Sequence, residues 1–224
     1  DYQIEQFINY YSILIEWNQV MNLTAITEYE EVVNKHFIDS LSLIKTIDRK
    51  IFRSGSISVI DIGTGAGFPG IPLKIAFPEI KITLLDSLNK RIKFLNEVVE
   101  EIGLKEVQTL HGRAEDYARK HEYREKYDLC VSRAVANLAI LSEYALPYVK
   151  KSGYFISYKS GNIEEEIKES TKAVEILGGK IEKIEKFTLP ETEIQRSLVK
   201  IRKENSTGKK YPRKAGVPSK EPLK

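Results

Sequence analysis

Asp61-Ile62-Gly63-Thr64-Gly65-Ala66-Gly67-Phe68-Pro69-Gly70 joins a short β-rich run, Ile57-Ser58-Val59-Ile60-Asp61-Ile62, to a stretch with helical spacing over 70–77. Glycines in such a joint let the backbone turn tightly and approach a ligand where a Cβ would collide. Pro69 and Pro72 fall before or within the first helical turn, where a missing N–H costs little. A strand, a glycine-rich turn and a helix in this order predict an open α/β sheet with a ligand at the turn. Gly65, Gly67 and Gly70 satisfy the G-x-G-x-x-G spacing of dinucleotide sites, whose pyrophosphate sits on the helix N-terminus. On the glycines alone an NAD-dependent oxidoreductase therefore stays open.

Working outward, the alternation continues. Lys81 to Asp86 reads as a second strand, followed by a helix from Leu88 to about Ile102 that ends near Gly103. Val107–Leu110, Tyr127–Ser132 and Tyr154–Lys159 read as further strands, with helices over Asn137–Leu146 and Ile163–Leu177. Strands alternating with helices imply a mostly parallel twisted sheet with helices on both faces, a Rossmann-like α/β fold. The end departs from that rhythm. Lys180–Leu189 and Arg196–Arg202 are separated by a short polar break and predict a terminal antiparallel hairpin. The beginning departs too: Ile4, Phe7, Ile8, Tyr11, Leu14 and Ile15 sit at helical spacing, and 28–35 and 37–47 read as two more helices, an N-terminal helical extension. The chain is thus divided into a helical segment (1–50), a ligand-binding core (51–203) and a tail (204–224).

The second strand ends in Asp86-Ser87, where an acid can accept bonds from both ribose hydroxyls, which any nucleoside cofactor requires. Gly112-Arg113-Ala114-Glu115-Asp116 follows the third strand. Asp61 placed before the glycines gives D-x-G-x-G-x-G, which resembles the first motif of class I methyltransferases. The resemblance implies S-adenosylmethionine as cofactor, with Gly63, Gly65 and Phe68 around its methionine part, Asp86 on the ribose, and Ala114 and Glu115 at the adenine.

The resemblance then becomes specific. Trp17-Asn18, Asn22-Leu23-Thr24-Ala25-Ile26, His36-Phe37-Ile38-Asp39-Ser40-Leu41, Asp61 to Pro72, Asp86-Ser87 with Lys90-Arg91, Gly112 to Glu115, Ser132 to Ala136, and Tyr211 to Gly216 together resemble the bacterial small-subunit ribosomal RNA methyltransferase G family, also called glucose-inhibited division protein B. The match runs over nearly the whole chain. It implies methylation of N7 of one guanine in 16S rRNA, with 16S rRNA or a small-subunit assembly intermediate as partner.

The residues are compatible with that chemistry. Guanine N7 carries an in-plane lone pair and no proton, so alignment matters more than a general base, and no acid–base pair stands out; no catalytic residue is assigned. Ser132-Arg133-Ala134-Val135 stands where amino-group methyltransferases carry an Asn/Asp-Pro-Pro-aromatic turn. Carbon-5 pyrimidine methylation needs a thiolate, and Cys130, the one cysteine, lies in an apolar strand as a structural residue would. Arg133, at the end of the fourth strand, is open to several roles: the cofactor carboxylate, the guanine edge, a phosphate, or an ion pair. Lys159, at the end of the fifth, is a weaker candidate for RNA. His36 and Asp39 are read as a packed, hydrogen-bonded pair or as a substrate contact, and neither is given a catalytic role.

Hydrophobic residues make up 42% of the 224 and charged residues 30%, the range of a globular protein. No apolar run approaches membrane-spanning length, one cysteine excludes an internal disulfide, and no metal site is expected. A cytoplasmic monomer is the default reading. The chain opens at Asp1 rather than Met, so a preceding piece is expected. Net charge is +3, but Lys200–Lys224 holds nine Lys/Arg against two Asp/Glu. A mildly acidic body with a basic tail suggests an anionic partner. Lys209, Lys210, Arg213, Lys214 and Lys220, interleaved with Tyr211, are the candidate RNA contacts. Because the cofactor motifs end well before Lys200, the tail is expected to leave cofactor affinity unchanged.

Overall fold

The computed structural model describes residues 2–52 and 57–224. Seven strands form one sheet: β1 (Ser58–Ile62), β2 (Lys81–Asp86), β3 (Val107–His111), β4 (Tyr127–Arg133), β5 (Val149–Ser160), β6 (Gly179–Thr188) and β7 (Gln195–Lys203). Their order is β3-β2-β1-β4-β5-β7-β6, parallel through β5, with β7 antiparallel to both β5 and β6. The hairpin expected from the polar break between the last two strands is therefore present. It closes the sheet from the β5 side.

Period-two alternation explains why both faces are covered. Val59, Leu84, Leu129, Val131 and Ile156 point into one buried cluster, while Ile60, Ile62, Leu85, Cys130 and Phe155 point into another. Nearly continuous apolar strands of this kind belong to sheets buried on both sides. The first layer contains α1 (Tyr2–Met21), which meets α5 (Gly70–Ala76) and α6 (Asn89–Glu101). The second contains α8 (Leu138–Ala145) and α9 (Glu164–Ile176). Cys130 is fully buried in the second cluster, and burial pushes its thiol well above the usual range, as suits a structural cysteine.

The N-terminal reading of two separate helices over 28–35 and 37–47 is corrected. Residues 29–45 form one continuous helical stretch: α2 (Tyr29–Val32), a π-helical turn (Val33–Ile38), α3 (Asp39–Leu41) and a 3₁₀ turn (Ser42–Lys45). In the π turn the Asp39 N–H reaches Asn34 O, one residue farther back than an α-helix allows. The extra residue breaks the 3.6 pattern without breaking the helix, which is why the periodicity there suggests an interruption. The short α4 (Arg49–Phe52), α7 (Ala114–Tyr117) and α10 (Val217–Lys220) complete the elements. No described helix is long and apolar enough to cross a membrane.

Candidate active site

Strand order reverses between β1 and β4, so their C-terminal ends diverge and open a crevice, the usual ligand position in such sheets. The glycine turn fills the near side of it. Gly63 has φ +67°, and a Cβ there would lie 2.6 Å from Val135 Cγ2. Gly70 starts α5 so close to the sheet that a Cβ would lie 2.4 Å from Leu84 Cδ2 and 2.8 Å from Asp61 Oδ2. Buried Asp61 holds the turn: Oδ2 accepts from Thr64 Oγ1 at 2.7 Å and from the Gly70 N–H at 2.9 Å. Burial, only partly offset by those bonds, raises its carboxyl to about 7.

Asp86 stands at the end of β2 and is 2% exposed. Oδ2 accepts the Gly65 N–H at 2.9 Å and Arg91 Nη1 at 3.2 Å; Oδ1 accepts the Leu88 N–H at 2.9 Å. A carboxylate offers about four lone-pair sites, so the buried acid both braces the glycine turn and keeps an acceptor position. A cleft of about 290 Å³ runs beside it, lined by Asp86, Ser87, Gly112, Ala114, Glu115 and Tyr144 among others. The sequence motifs after β2 and β3 are thus brought together. A larger cleft of about 820 Å³ adjoins it and is lined by Gly65, Phe68, His36, Arg133, Lys159 and Arg196 among others. The two clefts share Gly63, Arg91, Ala134 and Val135. Gly63, Gly65 and Phe68 therefore lie toward the arginine-rich end, and Ala114 and Glu115 toward the other.

Arg133 is not free in that cleft. Its Nη1 donates to Asp39 Oδ2 at 2.8 Å, with the Lys35 and His36 carbonyls at 3.5 and 3.4 Å, and its guanidinium lies 5.1 Å from the Phe68 ring centre. Asp39, 2% exposed, also accepts Arg196 Nε through Oδ1 at 3.2 Å. Arg133 makes an ion pair while still lining the larger cleft, and the π turn is what presents those two carbonyls and Asp39 to it. His36 is not paired with Asp39 as expected. It stacks on Phe68 with centres 4.5 Å apart, and its Nε2 faces Thr24 Oγ1 at 2.8 Å. Arg133 Nη2 approaches Nδ1 at 3.4 Å. The Lys35 carbonyl lies 3.2 Å from the same nitrogen. Burial, and then Arg133, push the imidazole down to about 4.

That shift has a measurable sign. The unfolded imidazole binds a proton below 6.5, while the folded one does not until about 4. Stability is therefore lost as pH falls from 6.5 to 4, by up to about 3 kcal/mol at ~1.4 kcal/mol per unit. Asp61, whose raised value means the folded state holds its proton longer, works in the opposite direction over nearly the same window. The His36 part must be read as a difference. Urea titrations of His36→Gln and the parent should converge on acidification, the variant losing less stability; parallel curves would refute a buried neutral imidazole.

Lys159 donates to Ala136 O at 2.7 Å and to Glu166 Oε1 at 2.6 Å, so the structure uses it to hold the loop after β4. In the tail, Lys209, Lys210 and Lys214 are exposed. Arg213 is turned inward: Nη2 lies 2.7 Å from Glu143 Oε2, Nε lies 2.9 Å from Oε1, and Glu143 is fully buried. Tyr211 is 7% exposed and packs in the core, which removes it from base stacking. Sequence reasoning did not single out Tyr144 or Arg196, and it quoted Thr24 and Val135 only within motifs, without a role. Only the fold brings them to the clefts. Arg91 was within the quoted motifs, and its approach to Asp86 gives it a role. Among the described residues no group of three or more His, Cys, Asp or Glu could hold a metal ion.

The comparisons with known proteins agree with this geometry. The family described as rRNA small subunit methyltransferase G matches residues 3–199. Ribosomal RNA small subunit methyltransferase G of Lachnoclostridium phytofermentans is 58% identical over 99% of this chain and 90% of its own, and that of Clostridium botulinum strain Loch Maree is 56% identical over 100% and 92%. Among solved structures, TYW2 of M. jannaschii in complex with AdoMet superposes with a TM-score of 0.52 at 17% identity over 70% of this chain and 74% of that one. TrmN from Thermus thermophilus gives 0.54 at 14% identity over 73% of this chain. This chain spans about half of that structure, 48% of its length. At such identities the likeness shows the fold alone, a Rossmann-like methyltransferase fold. The dinucleotide reading that the glycines left open is not favoured by any of these matches. The chain belongs to the rRNA small subunit methyltransferase G family, and it is an rRNA methyltransferase.

Proposed function

We propose that the chain transfers a methyl group from S-adenosylmethionine to N7 of one guanine of 16S rRNA, acting as a monomer in the cytoplasm on the RNA or on a small-subunit assembly intermediate. The observation that carries this is the pair of joined clefts at the strand-order reversal, one ending on a strand-end acid and the other on an aromatic and arginine cluster. The residues fit the cofactor. A Cβ at Gly63 would fill the joint between the clefts, and Asp86 keeps an acceptor for a ribose hydroxyl. When bound, S-adenosylmethionine supplies an electrophilic methyl group on a sulfonium. Gly63, Gly65 and Phe68 would hold its methionine part, Asp86 its ribose, and Ala114 with Glu115 the adenine.

The chain's own contribution is alignment and electrostatics. N7 has a lone pair in the base plane and no proton to lose, so a base held edge-on to the methyl needs no general base. His36 stays neutral at working pH and, stacked on Phe68, presents a rigid aromatic surface at the target cleft without adding charge beside a base that becomes cationic. Arg133 and Arg196 share the carboxylate of Asp39, which offsets one of their two charges and braces both against the wall of that cleft. Phosphate contacts fall to exposed lysines such as Lys209, Lys210 and Lys214.

The reaction is tested by incubating the chain with undermethylated small subunits and labelled cofactor, then mapping the labelled nucleotide. A label on guanine N7 is the expected result, and label on an exocyclic amine or a ring carbon would overturn it. The cofactor assignment has its own test. Asp86→Ala removes the ribose acceptor along with the brace on Gly65. Calorimetry should show affinity for S-adenosylhomocysteine falling by about 10- to 150-fold, or roughly 1.5–3 kcal/mol. Asp86→Asn keeps one acceptor oxygen and should lose less.

A further inference from the structure

The basic tail faces two ways. Its lysines point to solvent, but its backbone runs back against the adenine end of the cofactor clefts. Arg124 Nη1 donates to Tyr211 O at 2.8 Å, Arg124 Nη2 to Thr207 O at 2.7 Å, and Arg119 Nη2 to Pro212 O at 2.8 Å. Arg213 is locked on buried Glu143 of α8. The chain then turns at Gly216, whose φ is +83°, and its N–H donates to Glu115 Oε1 at 3.0 Å. Glu115 is 4% exposed and lines the smaller cleft. Pro218 of α10 is buried, α10 packs on α8, and Ser219 Oγ donates to Gly216 O at 3.0 Å, which ties α10 to the turn that meets Glu115.

We propose that this strap, residues 207–220, is the outer layer of the adenine-binding wall, and that Gly216 is a positioning residue that acts on the cofactor through Glu115. On this proposal the backbone of the tail bears on cofactor affinity, whereas its exposed lysine side chains do not. Glu115, which lines the cleft, has a strap N–H as hydrogen-bond partner. A carboxylate as buried as Glu115 that loses such a partner rotates or draws in water. Releasing the strap therefore reshapes the adenine end and leaves the methionine end, set by the β1 turn, as it was. The inference rests on the cofactor reading above.

Two variants test it. Pro218→Asp puts a charge into the apolar seat of α10 while leaving Arg213 on Glu143, and a chain ending after Ala215 removes the Gly216 contact outright. Both should weaken adenosine and S-adenosylhomocysteine by the same factor, about five- to twenty-fold for one hydrogen bond. The kcat at saturating cofactor and saturating RNA should stay within about twofold of the parent. Pro218→Ala, which keeps the seat apolar, should bind like the parent. A general loosening of the fold would instead weaken S-adenosylhomocysteine more than adenosine and lower kcat, and that pattern would overturn the proposal. Unchanged affinity in the shortened chain would overturn it alone. Failure of the intact chain to bind S-adenosylhomocysteine would overturn the cofactor reading and this inference together.

Discussion

Replacing Arg213 with alanine should cost about 3–5 kcal/mol of stability, the range for stranding one member of a buried ion pair. Glu143 is fully buried, and three bonds from the Arg213 guanidinium reach its two oxygens, at 2.9 and 3.1 Å from Nε and 2.7 Å from Nη2. The Arg213 N–H adds a fourth at 2.7 Å, which alanine retains. What remains is a carboxylate inside α8 with one neutral donor and no counter-charge. Set against a typical stability of about 5–15 kcal/mol, such a loss lowers the melting temperature by roughly 6–20 °C for a chain of this size. One control makes the result specific. Arg213→Met combined with Glu143→Leu should recover most of the loss, since an apolar pair of similar volume replaces a buried ion pair at little cost. The measurement is urea unfolding with the slope checked for constancy. A loss under about 1 kcal/mol, typical of exposed pairs, would mean that the tail is held elsewhere.

How much was legible in the sequence follows from which forces are local. The β1 turn was readable because glycine spacing encodes backbone conformation directly, and Asp86 because a strand end places its last side chain. The alternation of Val59 and Ile60, or Leu129 and Cys130, was readable for the same reason: period two fixes the face. Residues 33–38 were not, because a π turn changes the register by one residue and leaves no mark that distinguishes it from a break. Partnerships across the fold were equally hidden. Arg133 finds Asp39 across 94 residues and Arg213 finds Glu143 across 70. A count of charges sees seven net positive units in 200–224, but not that Lys203 is fully buried against Glu125 or that Arg213 is spent on Glu143. Even the residue that orders the strap, Arg124, lay in a stretch with no motif. Its two terminal nitrogens reach the Tyr211 and Thr207 carbonyls.

That sorting sharpens the remaining prediction, which concerns the outward face of the strap. Lys209, Lys210, Lys214 and Lys220 are exposed, and Lys210 lies over the edge of the core at 5.1 Å from the Tyr211 ring centre. Arg213 is left out of this set because its guanidinium already neutralises a carboxylate. Each lysine that meets a phosphate releases condensed counterions, so changing all four to alanine should lower the log–log salt slope of RNA binding by about 3 for single-stranded contacts. At 0.1 M salt a slope change of that size corresponds to roughly a thousandfold in affinity, about 4 kcal/mol. The protein should remain as stable as the parent, because none of the four side chains makes a hydrogen bond or ion pair among those found in the described residues, and the Lys214 carbonyl that accepts from the Val217 N–H is kept by alanine. Cofactor affinity should also hold, since the backbone that meets Glu115 is untouched. The two faces of one strap then give opposite signatures. The lysine set loses RNA and keeps the cofactor, whereas Pro218→Asp loses the cofactor's adenine contacts with the lysines still in place. Titration of 16S rRNA at several salt concentrations, beside calorimetry with S-adenosylhomocysteine, reads both. An unchanged salt slope would place the phosphate contacts on another surface and leave the strap with its inward role alone.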